Sequence, residues 1–392
     1  MSESSSFDTT APARSGPGTV SRAGRPLLRF ALVAALLAVA ATLGTARAHP
    51  EGAPAPALRA QGAAIVDSGG RPVALRGVNR VGGEYACVQG WGLWDGPTDD
   101  ASVAAMREWR VNAVRLPLNE DCWNGAPGVP AEFSGPAYAR AVREYADRLQ
   151  RHGITPVLSL LWGTGRYTGP SSACPDERAL CLKPMPDEGA VRFWSTLARA
   201  FPERTVLFDL YNEPFPDRAM DPETAWRCWR EGADACAAGI PGYRAVGLQT
   251  LVDAVRATGA ENLLLVAPQR WANDLSGWAR HHPEDPRRNL AVSWHAYPTN
   301  SIAAQACWNS VVAPVAAAWP LVATELGEYD CAGAFVRGAA RWLDRNGADG
   351  YLAWTWSTGD CASRPSLITD FAGHPTPYGA AWREQLADAP PP

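Results

Sequence analysis

The sequence predicts an α/β fold of the (β/α)8 TIM-barrel type, as a single domain with a small N-terminal β-hairpin. Three observations carry this. Eight apolar runs of strand length alternate with amphipathic helical stretches, the pattern of βα units around a parallel sheet. The 392 residues, 46% of them apolar, suit one barrel of about 250 residues with insertions. No Gly-x-Gly-x-x-Gly follows the first run, which argues against an open dinucleotide-binding sheet.

At the N-terminus, Arg22, Arg25 and Arg29 precede the apolar run from Phe30 to Leu43, and Ala46-Arg47-Ala48 offers a small-x-small cleavage site before His49. Residues 1–48 read as a signal peptide directing secretion. The 14-residue run is shorter than the roughly 18 to 20 residues of a spanning helix. A membrane role therefore arises only if the segment stays uncleaved as an anchor, with the domain outside the cell. Residues 49–59, rich in Ala and Pro, read as a linker, and the catalytic domain is expected over 60–388 with a short tail at 389–392. Within it, Ile65 to Val73 reads as the hairpin, because Gly69-Gly70 separates two β-branched runs; it would cap the lower end of the barrel.

The strands are expected at Val73–Asn79, Asn112–Leu118, Thr155–Trp162, Thr205–Asn212, Asn262–Ala267, Leu290–Tyr297, Leu321–Glu325 and Gly350–Trp356. Between and after them, helical periodicity marks Ala101–Trp109, Ala137–His152, Glu188–Phe201, Tyr243–Thr258, Leu275–His281, Trp308–Ala318, Ala334–Asn346 and Tyr378–Leu386. Gly153, Gly259 and Gly347 each stop a helix just before a strand, as a left-handed C-terminal residue does. The long segments Thr164–Pro186 and Phe215–Gly242 are expected to wall the cleft.

Charge narrows the function. Forty acidic against 36 basic residues give a net charge of −4, with no basic run beyond the N-terminal arm, so a nucleic-acid partner is not expected. A neutral oligo- or polysaccharide fits better, and the 17 tryptophans include enough flat rings to meet the apolar faces of sugars. Nine cysteines in an exported chain suggest disulfides. Cys174–Cys181 and Cys228–Cys236 are close in sequence; Cys87–Cys122 and Cys331–Cys361 follow adjacent strands; Cys307 is left over, and buried free thiols are the alternative for each pair. No C-x-x-C or H-E-x-x-H spacing suggests a metal, so neither metal nor organic cofactor is expected.

Chemistry is expected where barrel strands end. The fourth strand ends Tyr211-Asn212-Glu213-Pro214 and the seventh Thr324-Glu325-Leu326-Gly327-Glu328. Two carboxyl groups on opposite sides of the mouth are what glycoside hydrolysis needs: about 5–5.5 Å apart for retention, about 6.5–9.5 Å for inversion. Arg115, His295, Tyr297 and Trp356 end neighbouring strands.

Together with Leu75-Arg76-Gly77-Val78-Asn79, Val111 through Pro117 and Trp294-His295-Ala296-Tyr297, these stretches make the chain resemble glycoside hydrolase family 5, the cellulase family of retaining barrels, over Ala60 to Asp388. The resemblance implies that Glu213 is the general acid/base and Glu325 the nucleophile of a secreted, endo-type β-glycosidase acting on a β-glucan. It also implies that Asn212 bonds the sugar 2-hydroxyl, that Arg115 holds Glu325, that His295 lies by Glu213 and Tyr297 by Glu325, and that Trp356 stacks beneath the cleaved sugar, with Trp354 a core residue. Trp162 is a further candidate for substrate contact. The chain departs from the family at Leu161, where a histidine is expected, which leaves β-mannan or a glycoconjugate open as substrates. An inactive carbohydrate-binding barrel is the other reading. Glu120 and Glu328 are spare acids expected to be solvated or ion-paired, and a monomer is expected.

Overall fold

Eight parallel strands close a barrel in the computed structural model, which describes residues 53–163, 183–216, 220–236, 244–300, 302–362 and 364–390. They are β1 (Leu75–Asn79), β2 (Ala113–Asn119), β3 (Thr155–Trp162), β4 (Leu207–Asp209), β5 (Leu264–Val266), β6 (Leu290–Ala296), β7 (Leu321–Leu326) and β8 (Gly350–Ala353). Each pairs with the next in the chain, and β8 pairs with β1 to close the ring. The β4 ladder is shorter than the apolar run implies because the chain beyond Asp209 leaves the sheet. It remains laced to it: Leu210 N–H donates to Leu265 O (3.0 Å) and Asn212 N–H to Leu160 O (2.9 Å).

Because strand side chains alternate, residues two apart share the barrel interior. Its lower layer is apolar, built from Leu75, Ala113, Val157, Leu207, Leu265, Ala291, Val322 and Leu352. Two residues up the same strands, Arg115, Ser159, Asp209 and Ser293 form a polar layer with no solvent exposure. The outward residues, among them Val114, Leu158, Phe208 and Trp294, belong to a second core beneath the helices. Gly77 lets β1 and β2 close up at this level, since a Cβ there would fall 1.7 Å from Ala113 O.

The hairpin pairs Leu58–Gln61 with Ala64–Asp67, so its turn falls at Gly62 rather than at Gly69-Gly70. The Gly69-Gly70 turn exists, but it returns only a single bridge, Val66 to Pro72. Leu58 and Ile65 plug the lower end of the barrel against its apolar layer. The chain is fastened before Ala60: Ala55 N–H donates to Gln150 O and Leu58 N–H to Arg204 O, both at 3.0 Å. Those bonds and the burial of Ala55 are what the Ala/Pro composition did not reveal.

The helices follow the sequence periodicity, and further ones include Ala86–Gln89, Glu120–Asn124 and Pro222–Glu231. The last lies in the segment expected as a cleft wall. The Asp221 side chain accepts from Thr224 N–H, Pro222 opens the first turn, and Trp226 and Trp229 are buried. Gly153, Gly259 and Gly347 have φ of 72°, 86° and 74°, the left-handed conformation that ends their helices. Disulfides join Cys87 to Cys122, Cys228 to Cys236 and Cys331 to Cys361. The Cys174–Cys181 pairing lies outside the described residues, and Cys307 is a half-buried free thiol. Among the described residues no helix is long and apolar enough to cross a membrane.

Candidate active site

Arg115 reaches up from the polar layer of β2, where an unpaired guanidinium would be costly, and all its charge is met by side chains of other strands. Its Nε donates to Asp209 Oδ2 (2.7 Å), Nη1 to Asn79 Oδ1 (2.9 Å) and Glu325 Oε1 (2.6 Å), and Nη2 to Asn212 Oδ1 (2.7 Å). Asp209 is fixed from the other side by the Ser159 hydroxyl (2.8 Å), and Asn79 Nδ2 donates to Thr324 O (2.8 Å). Burial opposes the charge on Arg115, but Asp209 and Glu325 more than offset it, so the guanidinium holds its proton more firmly than usual.

Glu325 is held at both oxygens: Oε1 by Arg115 and Oε2 by the Tyr297 hydroxyl at 2.7 Å. Gly327 makes room for that tyrosine, because a Cβ there would meet its ring at 2.3 Å. Glu213, by contrast, bonds the neutral-leaning His295, whose Nδ1 lies 2.9 Å from Glu213 Oε1 and 3.5 Å from Glu325 Oε2. Burial lowers His295 to about 4 and raises Glu213 to about 7. Burial also raises Glu325, opposed by the neighbouring His295, then by the positive charge of Arg115 and the hydrogen bond from Tyr297. A carboxylate accepting two strong donors is the form those contacts favour. The two glutamates thus sit in unequal surroundings, with one oxygen of each and a His295 nitrogen all within 4.8 Å of one another.

Among the described residues, Glu213, His295 and Glu325 are also the three groups close enough to share a metal ion. The guanidinium bonded to Glu325 already supplies the positive charge that such an ion would bring, and it would repel one.

Around the pair opens a cleft of about 500 Å³, lined in part by Glu84, Leu161, Asn212, Trp271, Tyr329 and Trp354. Here the sequence reading of the two β8 tryptophans is reversed. Trp356 has no exposure and packs edge-on against Trp109 (centroids 4.9 Å), while half-buried Trp354 lines the cleft. β8 ends at Ala353, so strand alternation does not govern which ring faces the mouth. Leu161 forms an apolar part of the wall, and the side chain of Trp162 lies outside the described residues. Glu120 is buried in an ion pair with Lys183, and Glu328 accepts from Phe335 N–H (2.7 Å) and Val336 N–H (3.1 Å) at a helix start, so both acids are structural.

Glu84, Trp271 and Tyr329 were missed. Tyr329 follows the strand-seven motif by one residue and stacks on Tyr297 (6.1 Å, 24°), so proximity to the motif was a usable signal. Trp271 had none. Arg270, Trp271 and Ala272 all take left-handed φ of 55–56° without a glycine or asparagine to announce it, and the turn stacks Trp271 on Phe215 (5.2 Å, 23°).

The family model described as Cellulase (glycosyl hydrolase family 5) matches residues 66–360. No curated protein matches the chain. Among solved structures, a β-glucanase from Saccharophagus degradans is similar at 19% identity, covering 86% of this chain and 94% of its own, with a TM-score of 0.63. The same β-glucanase has been crystallised in complex with cellotetraose. A β-mannanase from Thermomonospora fusca is similar at 17% identity (86% and 98% covered, TM-score 0.59). An endo-β-1,4-glucanase from Xanthomonas axonopodis pv. citri matches at 18% identity (80% and 98% covered, TM-score 0.55). At these identities the structural likeness concerns the fold.

The Arg115 network makes a stability prediction. Arg115→Met leaves Asp209 buried without its cation and is expected to cost about 3–5 kcal/mol, read by denaturant unfolding. Arg115→Lys is expected to recover only part of this, because one ammonium cannot reproduce the fork that reaches four side chains.

Proposed function

The chain belongs to glycosyl hydrolase family 5, and from that premise we propose that it is a secreted, retaining, endo-type β-glycosidase that cleaves a neutral β-glucan by double displacement. The observation that supports the mechanism is the spacing of the two carboxyl groups: one oxygen of each lies within 4.8 Å of the other, which fits the close pair of a retaining enzyme better than the separation of about 6.5–9.5 Å in an inverting one.

Glu325 attacks the anomeric carbon while the bond to the leaving oxygen breaks and that oxygen takes the proton of Glu213. A glycosyl ester on Glu325 results. Water then attacks the same carbon, gives its proton to Glu213, and releases Glu325 as carboxylate. The unequal surroundings suit this division. At neutral pH a group poised near 7 can give a proton and take one back. Esterification of Glu325 removes a negative neighbour, which favours ionisation of Glu213 for the second step. With His295 as its Nδ1–H tautomer, the contact to Glu213 Oε1 is a donated hydrogen bond and Oε2 is left to carry the acid proton.

Asn212 accepts from Arg115 through Oδ1, so its amide nitrogen is the atom available to donate to the 2-hydroxyl of the sugar. Trp354 takes the role of the platform under the transferred sugar, and Trp271, backed by Phe215, that of a ring on the leaving-group side. Barrel order supports this polarity: β8 adjoins the Glu325 strand, and β5, which precedes Trp271, adjoins the Glu213 strand. Three carboxyl groups line the cleft and its cation is paired behind them, which favours a neutral glycan. A glucan is favoured by the cellulase family and by the cellotetraose complex of the S. degradans enzyme; the apolar Leu161 wall keeps β-mannan in the test panel. Secretion is supported by the signal-like N-terminus and by disulfides, which persist in oxidising compartments.

Two measurements test this. On an activated aryl β-glycoside panel, Glu325→Ala is expected to lose turnover and recover it with azide as the inverted α-glycosyl azide; full activity in the variant, or a wild type inert on every sugar, would overturn the mechanism. Separately, kcat/KM requires protonated Glu213, so it is expected to fall as pH rises through about 7. Glu213→Ala should abolish that limb on substrates whose leaving group needs no proton. A limb that persists unchanged assigns it elsewhere.

A further inference from the structure

Glu84 is a buried acid in the cleft that the proposed mechanism does not use. It follows β1, has 2% exposure, and lines the same cavity as Glu213 and Glu325. Its position is built with care. The Glu84 carbonyl accepts from Asn119 Nδ2 (2.9 Å), and the Gly83 carbonyl accepts from the Tyr138 hydroxyl (2.6 Å). Gly83 presses the loop onto β2, since a Cβ there would meet Pro117 O at 2.7 Å, and the Cys87–Cys122 disulfide ties the loop to the segment after β2. The carboxyl Oε2 accepts from Gly82 N–H at 2.8 Å.

The nearest cation does not neutralise it. Arg80 is turned to Asp95, with Nη1 2.6 Å from Oδ1, and Tyr85 donates its hydroxyl to the other oxygen of Asp95. A carboxyl group left in low dielectric near Asp95 is held toward its neutral form: burial raises it to about 8, outweighing the backbone N–H groups of Glu84 and Gly82, while the smaller effects of Asp95 and Arg80 oppose one another. A neutral carboxylic acid can donate one hydrogen bond and accept another, the valence that a sugar hydroxyl matches. β1 adjoins β8, which Trp354 directly follows, and β8 adjoins β7, which carries Glu325. Glu84 therefore belongs to the side of the cleft that holds the transferred half of the substrate, a direction that rests on the glycosidase reading.

We infer that Glu84 is a specificity-determining residue that hydrogen-bonds a hydroxyl on the glycone half of the bound glycan. A site that buries a polar group to meet a hydroxyl rejects ligands lacking it, because the group is then left unpaired.

The test is calorimetric binding of cellotetraose, mannotetraose and their monodeoxy derivatives to the full chain carrying Glu213→Gln to block turnover, with and without Glu84→Ala or Glu84→Gln. For the better-bound tetrasaccharide, Glu84→Ala is expected to weaken binding about tenfold or more, and Glu84→Gln, which also donates and accepts, to restore most of it. For one monodeoxy ligand the Glu84→Ala effect should vanish. Equal losses on every deoxy ligand would mean that the variant distorts the loop, and no loss at all, or no binding to any ligand, would likewise overturn the inference. Glu84-dependent binding in a chain whose wild type cleaves nothing would sink the proposed function and leave this assignment standing.

Discussion

The guanidinium of Arg115 is the constraint on which the site depends. It is a charge placed in the polar layer of a barrel whose next layer down is apolar, and burial of that kind is tolerated only when the partners are complete. Completing them draws in Asn79 from β1, Asp209 from β4, Asn212 beyond it and Glu325 from β7. One side chain therefore sets the mouth geometry of four strands. In the proposed mechanism, the acid that acts as a carboxylate is the one the guanidinium touches, and the acid that carries a proton is the one it does not.

The remaining electrostatics follow from that asymmetry. Glu325 meets a cation and a phenol, whereas Glu213, the more exposed of the two, bonds a histidine that burial keeps neutral. The proximity of the pair couples them, so that covalent capture of one changes the proton affinity of the other.

Much of this was legible in the sequence. Apolar runs located all eight strands, because a strand buried on both faces has few ways to look otherwise. The polar residues ending the second, fourth, sixth and seventh runs gave Arg115, Asn212, Glu213, His295, Tyr297 and Glu325, since a barrel sends strand ends to one face. What escaped depended on chain direction after a strand has ended. Trp354 and Trp356 differ by two residues, and the core and cleft positions expected of them are exchanged just past Ala353, where β8 ends. Trp271 sits in a left-handed turn built from Arg, Trp and Ala, residue types that do not advertise it. The hairpin was misplaced by one turn because Gly69-Gly70 is the stronger local signal, whereas burial of Leu58 against the barrel floor decides the pairing.

The proposed double displacement commits the enzyme to one stereochemical outcome, and proton NMR of the first-formed product reads it directly. During hydrolysis of a β-linked oligosaccharide, the β-anomer of the new reducing end should appear first and mutarotate to the α-anomer afterwards. Initial release of the α-anomer would mean single displacement, and would contradict both the nucleophilic role of Glu325 and the role of the Arg115 network in holding it ionised.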